Sequence, residues 1–286
     1  MSFHPFTTFS TANRRLILLL IAGHLLWSCA LLGLWASGSL LAAPAPRLSG
    51  AFFIALQLYF AAQLLLPALR LHPAQRSRGF YLFWLLLLLA ASVWLLNQLP
   101  VAGGRLPLPA VLQSALLLLV ATVIGAVLAG YVRRLWEVVP VCVAMTLADV
   151  VSWRYGPTAE FARQIEDYYL APEGPPPLID MLLVKLVVPG AAGLAPVFGI
   201  SDWIMVVFFA VVARRFGIND NLLGPSGAPL ARQGRIGCYL PVPVVALLVA
   251  IVLAQATGLF LPALPLMALI MLLWYAGRYL LLRRRR

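Results

Sequence analysis

Two aspartates stand in stretches that are otherwise apolar: Asp149 in VPVCVAMTLADVVSW and Asp202 in VFGISDWIMVVFFAVVARRFG. An ionised carboxylate at membrane depth costs about 2.5 kcal/mol or more, so a chain that keeps one turns it toward protein or water and gives it work. Two acids facing each other in a low-dielectric site cannot easily both ionise. They share a proton, and such a pair can activate water as general acid and base. The alternative is two unrelated membrane acids, each satisfied by a local hydroxyl or backbone group.

The remaining seven acids have plainer settings. Glu137 lies beside Arg133 and Arg134, an interfacial ion pair by its spacing. Glu160, Glu166, Asp167, Glu173 and Asp180 crowd one polar connection, and Asp220 lies in another. No acid precedes Glu137, so acid-dependent chemistry belongs to the middle of the chain. Metal chemistry finds little footing. Cys29, Cys142 and Cys238 have no paired spacing, and His4, His24 and His72 are scattered, with His24 reading as a helix-packing residue. The sequence calls for no metal and no organic cofactor.

The elements that must position the two acids follow from composition. Of 286 residues 63% are hydrophobic and 10% charged, with a mean hydropathy of +0.95, too little polar surface to cover a soluble globule. The fold class expected is all-α, a polytopic transmembrane helical bundle. Runs of about 20 apolar residues predict about eight spans, at 16–35, 51–69, 80–98, 109–131, 135–153, 195–213, 239–258 and 261–281. The first reads as an ordinary span or signal anchor, because its apolar run is long for a cleaved signal. Residues 1–286 form one membrane domain, with 1–134 a four-span scaffold and 135–286 the part that holds both acids.

The net charge of +12 does not point to nucleic acid. Arginines cluster in every second connection, at Arg14 and Arg15, at Arg70, Arg76 and Arg78, at Arg133 and Arg134, at Arg214, Arg215, Arg232 and Arg235, and from Arg278 to Arg286. By the positive-inside rule both termini are cytoplasmic and the chain is an integral membrane protein, with anionic-lipid contact as a secondary role for the clusters. The fifth and sixth spans are then antiparallel neighbours joined outside the cytoplasm. At about 1.5 Å per residue, Asp149 lies roughly 7 Å before Arg154, and Asp202 roughly 10 Å after the start of its span. Both acids therefore face the non-cytoplasmic side at similar depth.

Four stretches in order, ADVVSWRYG (148–156), VKLVVPG (184–190), FGISDWIMVVFFAVVARRFG (198–217) and LPALP (261–265), resemble the catalytic core of the presenilin and signal peptide peptidase family of intramembrane aspartyl proteases. That family carries YD, then GxGD, then PAL, and signal peptide peptidases place a KL-apolar-apolar-P stretch before GxGD. The resemblance is closest to the prokaryotic signal-peptide-peptidase-like type and so implies an inner membrane. It implies Asp149 and Asp202 as the catalytic dyad. Around them it implies substrate contacts from Gly199 and Ser201, from Lys185, Leu186, Val187, Val188 and Pro189, and from Pro262, Ala263 and Leu264. The substrates implied are transmembrane helices or remnant signal peptides within the bilayer. Ala148 stands where the family has Tyr, and Ser201 where it has the second Gly.

Other details fit around this core. Pro262 and Pro265 free backbone groups that helical pairing would use. The extended residues before Pro189 could pair with a substrate strand, or simply end a loop. AEFARQIEDYYL puts Phe161, Ile165 and Tyr168 on one face of an interfacial amphipathic helix. PEGPPPLID and VVPGAAGLAP suit an irregular, partly wet entrance. Two further classes remain: a proton-coupled transporter, although no repeated halves are visible, and a catalytically silent relative that binds membrane helices.

Overall fold

The computed structural model describes residues 11–38, 46–70, 78–97, 107–156, 158–171, 176–189, 193–257 and 262–284. His4, His72, Arg76, Arg105, Glu173, Leu261 and Arg286, together with the centres of the PEGPPP and VVPGAAG stretches, lie outside the described residues. The helices are α1 (Thr11–Gly38), α2 (Pro46–Arg70), α3 (Arg78–Asn97), α4 (Leu108–Ala129), α5 (Val138–Tyr155), α6 (Thr158–Leu170), α7 (Ile200–Arg215), α8 (Gly227–Gln233), α9 (Val242–Thr257) and α10 (Ala263–Arg284). Between α6 and α7 runs a hairpin of β1 (Leu183–Val187) and β2 (Leu194–Gly199).

The architecture is that of a helical membrane protein. Among the described residues five helical stretches are long and apolar enough to cross a bilayer: Leu18–Ser37, Ser49–Leu69, Leu108–Ala129, Leu135–Tyr155 and Ala263–Leu281. Helices α7 and α9 have 16 residues each, a rise of about 24 Å against a hydrocarbon core of about 30 Å. The third expected span falls on α3, which packs against α4. Two details of the expected fold change. The sixth span does not begin at residue 195, because 194–199 are strand and the helix opens at Ile200. The second is an addition to an otherwise all-α bundle: Val, Leu and Phe around Pro189 and Pro196 favour extended backbone over a helix that either proline would interrupt, and they form the one hairpin among the described residues.

Helix α7 is the axis of the bundle. From Met205 to Ala213 it is buried on every side, the pattern of a helix apolar all round and enclosed by others. It packs most closely on α4, where Gly125 lets the backbones meet. A Cβ added at Gly125 would lie 2.5 Å from the Ile204 carbonyl oxygen and 2.7 Å from the Val207 Cβ. Trp203, fully buried, donates its indole N–H to the Thr122 hydroxyl at 3.3 Å. At the far end the Arg215 guanidinium donates to the Ala129 and Gly130 carbonyls that α4 leaves unpaired (3.2 and 2.9 Å).

The hairpin packs against α1, α2 and α4, with Val184, Leu186 and Val187 buried. Non-helical backbone inside a membrane bundle survives only where protein satisfies its polar groups. Two buried side chains do this for the edge of β1 that faces away from β2. Gln57 of α2 accepts from Val187 N–H (2.8 Å) and donates to its carbonyl (2.9 Å). Ser114 of α4 accepts from Lys185 N–H (2.9 Å) and donates to its carbonyl (3.1 Å).

Candidate active site

Asp202 is the third residue of α7, and the strand before it sets its side chain. Gly199 ends β2 in extended conformation and caps α7, and its N–H donates to Asp202 Oδ2 at 2.9 Å. The helix is thus capped at its third position by its own carboxylate, and the first-turn amides favour negative charge there. Gly199 is needed for closeness rather than for an unusual φ. A Cβ there would lie 3.3 Å from Ser201 Oγ and 3.6 Å from Asp202 Oδ2. Asp202 itself is half-buried, and Ser201 beside it is exposed.

Asp149 arrives on α5 from the other side. Its Oδ2 accepts the Leu264 N–H at 3.3 Å. Leu264 is the second residue of α10, so this amide is one of the donors that a helix start leaves unpaired. Pro262, just before the helix, has no N–H to compete. The structure therefore gives Pro262, Ala263 and Leu264 a definite place: the start of α10 holds the first acid through one amide. Helix α10 packs on both α5 and α7 and bridges the two acid-bearing helices. Among the described residues no hydrogen-bond donor reaches Oδ1 of either acid.

The stretch from Lys185 to Pro189 sits differently from its expected role. Lys185 is buried and paired with the equally buried Asp180, whose other oxygen accepts the Tyr169 hydroxyl at 3.0 Å. Burial and the negative charge of Asp180 together raise the Tyr169 hydroxyl above its ordinary range. Leu186 and Val187 pack in the core and Pro189 is buried, while Val188 is half-buried near Gly50. On its outer edge the backbone N–H and carbonyl groups of Lys185 and Val187 are taken by Ser114 and Gln57. The stretch ties the outer connection to the bundle through Tyr169, Asp180 and Lys185.

Glu137, expected to pair with arginine side chains, accepts the Arg133 backbone N–H at 2.7 Å instead. His24 is buried in α1 as expected of a packing residue, with Nδ1 2.7 Å from the Leu20 carbonyl. Sequence reasoning missed Gln57, Ser114, Tyr169 and Asp180. The signal for the first two was present: Gln57 and Ser114 are polar residues inside apolar runs, each needing a partner. Among the described residues no group of three or more His, Cys, Asp or Glu could hold a metal ion. No family model, curated protein or solved structure matches the chain.

Proposed function

We propose that the protein is an intramembrane aspartyl protease with Asp149 and Asp202 as its dyad. The observation that carries this reading is a pair of carboxylates on two helices, α5 and α7, that both pack against α10. Each is held through Oδ2 by one backbone N–H, and each keeps Oδ1 free of donors among the described residues. In the reaction, the ionised acid takes a proton from water while the neutral acid donates to the scissile carbonyl oxygen. The oxygen of water adds to the carbonyl carbon, giving a tetrahedral diol. A proton then passes to the amide nitrogen, the C–N bond breaks, and a carboxylic acid and an amine leave. The substrate helix must first unwind locally, because its amides are otherwise locked in hydrogen bonds.

On this reading α1–α5, α7, α9 and α10 are the eight spans, and the arginine clusters place both termini in the cytoplasm. The acids then lie toward the opposite face, and the substrates are helices with cytoplasmic N-termini, such as remnant signal peptides. Replacing Asp149 or Asp202 with Asn should lower cleavage of a reconstituted helical substrate by about 100-fold or more. Full activity in either variant removes that residue from the chemistry. The orientation is tested separately. A single Cys at exposed Glu166 of α6, in a background without Cys29, Cys142 and Cys238, should react with an impermeant reagent on intact cells. Labelling only after the membrane is opened would reverse the topology and the substrate sense together.

A further inference from the structure

The sequence offers α1–α4 only as hydrophobic scaffold, yet polar side chains from that half reach the connection that leads to Asp202, and two of them hold β1. Gln57 and Ser114 are buried, and together they make four hydrogen bonds to the backbone of Lys185 and Val187. They act as a strand built from side chains. The order they impose passes through the ladder: Val187 pairs with Leu194, Lys185 with Pro196, Val184 with Phe198 and Leu183 with Gly199. Gly199 is the end of that ladder, and its N–H holds Asp202 Oδ2 at 2.9 Å. The Phe198 and Trp203 rings, 6.2 Å apart, join strand and helix a second time.

We propose that Gln57 and Ser114 are positioning residues for Asp202, clamping the hairpin so that Gly199 presents one amide to the carboxylate and leaves its other oxygen for the reaction. The catalytic part of this statement rests on the protease reading, while the positional part does not. Loss of either clamp lets β1 shift in the bundle, and an acid misplaced by ~1 Å can cost about 100-fold in rate.

The test uses the full-length protein in lipid nanodiscs and follows residue-resolved amide exchange at Gly199. Asp202→Ala, which removes the acceptor, is the positive control. In Ser114→Ala and Gln57→Leu the Gly199 amide should exchange about 10-fold faster or more, as for a lost buried hydrogen bond. Ser114→Thr, which keeps the hydroxyl, should restore parental exchange. Unchanged exchange across α9 identifies folded variants, and Gln57→Asn replaces Gln57→Leu if that variant does not assemble. Faster exchange at Lys185 and Val187 with Gly199 unchanged would overturn the proposal. With a helical substrate, kcat should fall by about 10- to 100-fold with little change in KM, and Ser114→Thr should rescue it. If the parent cleaves nothing while Gly199 responds as stated, the protease reading falls and the clamp stands.

Discussion

Asp202 at the head of α7 and Asp220 just beyond its tail are held by different kinds of partner. Asp220 is buried, and its Oδ2 accepts the Tyr239 hydroxyl at 2.8 Å while its backbone carbonyl accepts Val242 N–H at the start of α9. Next to it, Asn221 donates to Pro225 and Cys238 carbonyls and accepts from the Leu223 and Leu240 amides. Gln63 of α2 bonds Tyr239 and Gly237, and Tyr59 donates to the Gly237 carbonyl, so the loop from Phe216 to Pro241 is laced to the bundle. Among the described residues Asp202 has one backbone donor, and its position is half-open. A carboxylate closed in by a hydroxyl and a folded loop serves the structure. One that keeps an oxygen free of donors is available for chemistry.

The sharpest way to break this comparison is to neutralise each acid in turn. Asp202→Asn should abolish cleavage by about 100-fold or more with the melting temperature nearly unchanged. Asp220→Asn should leave kcat within about threefold, since it touches no reacting atom. Activity that follows Asp220 instead of Asp202 would invert the assignment.

The helix that joins the two regions can be displaced as a whole. Gly125→Ala puts a methyl 2.5 Å from the Ile204 carbonyl oxygen, a backbone atom that cannot rotate away. Separation of α4 from α7 should cost about 1–3 kcal/mol, an overpacking penalty, read as a lower melting temperature in detergent. Unlike the Asn variants, this change should lower stability and activity together. Parental stability would mean that α4 and α7 tolerate a wider spacing than the fold implies.

How far the sequence foretold these features depends on what made each one. The apolar helices were legible, because length and composition alone decide whether a segment can cross a bilayer. So were Asp149 and Asp202 as the unusual acids, since a charge in an apolar run announces itself. The hairpin was not, because Leu194–Gly199 reads equally as the start of a buried helix and only its pairing with β1 settles the matter. The fate of Lys185 depended on Asp180 folding back across a short-helical turn, a contact that spacing does not fix. The importance of Asp220 was hidden for the same reason. Tyr239 lies in a loop, and no periodicity points its hydroxyl at the acid.

Asp220 gives the fold's stability a pH signature. Burial pushes its carboxyl up to about 7, offset in part by the Tyr239 hydroxyl. The folded state therefore holds a proton that the unfolded state gives up near pH 4. Stability from this group is full below about pH 4 and is lost as pH rises toward about 7, by up to ~1.4 kcal/mol per pH unit. Asp220→Asn stays neutral throughout, so its melting temperature should depend less on pH across that window than the parent's. Parallel curves for the two proteins would show that Asp220 is ionised in the fold and that the loop accommodates its charge.

The smallest effect expected lies beside the dyad. Ser201 is exposed, and its Oγ would lie 3.3 Å from a Cβ built on Gly199, so it fills space next to Asp202. Among the described residues its hydroxyl makes no hydrogen bond to either carboxylate. It occupies the second helical position of α7, where a glycine loses little because the first-turn amides are unpaired in any case. Ser201→Gly should thus leave stability within about 1 kcal/mol, the limit set by helix propensity. The Gly199 to Asp202 bond does not involve the Ser201 side chain, so cleavage should be equal to the parent's or modestly higher. A loss of about tenfold or more, of the size ascribed to a participating proton donor or acceptor, would make the hydroxyl a working part of the site. Asp202 would then have a second partner, and the contrast with the hydroxyl-held Asp220 would narrow.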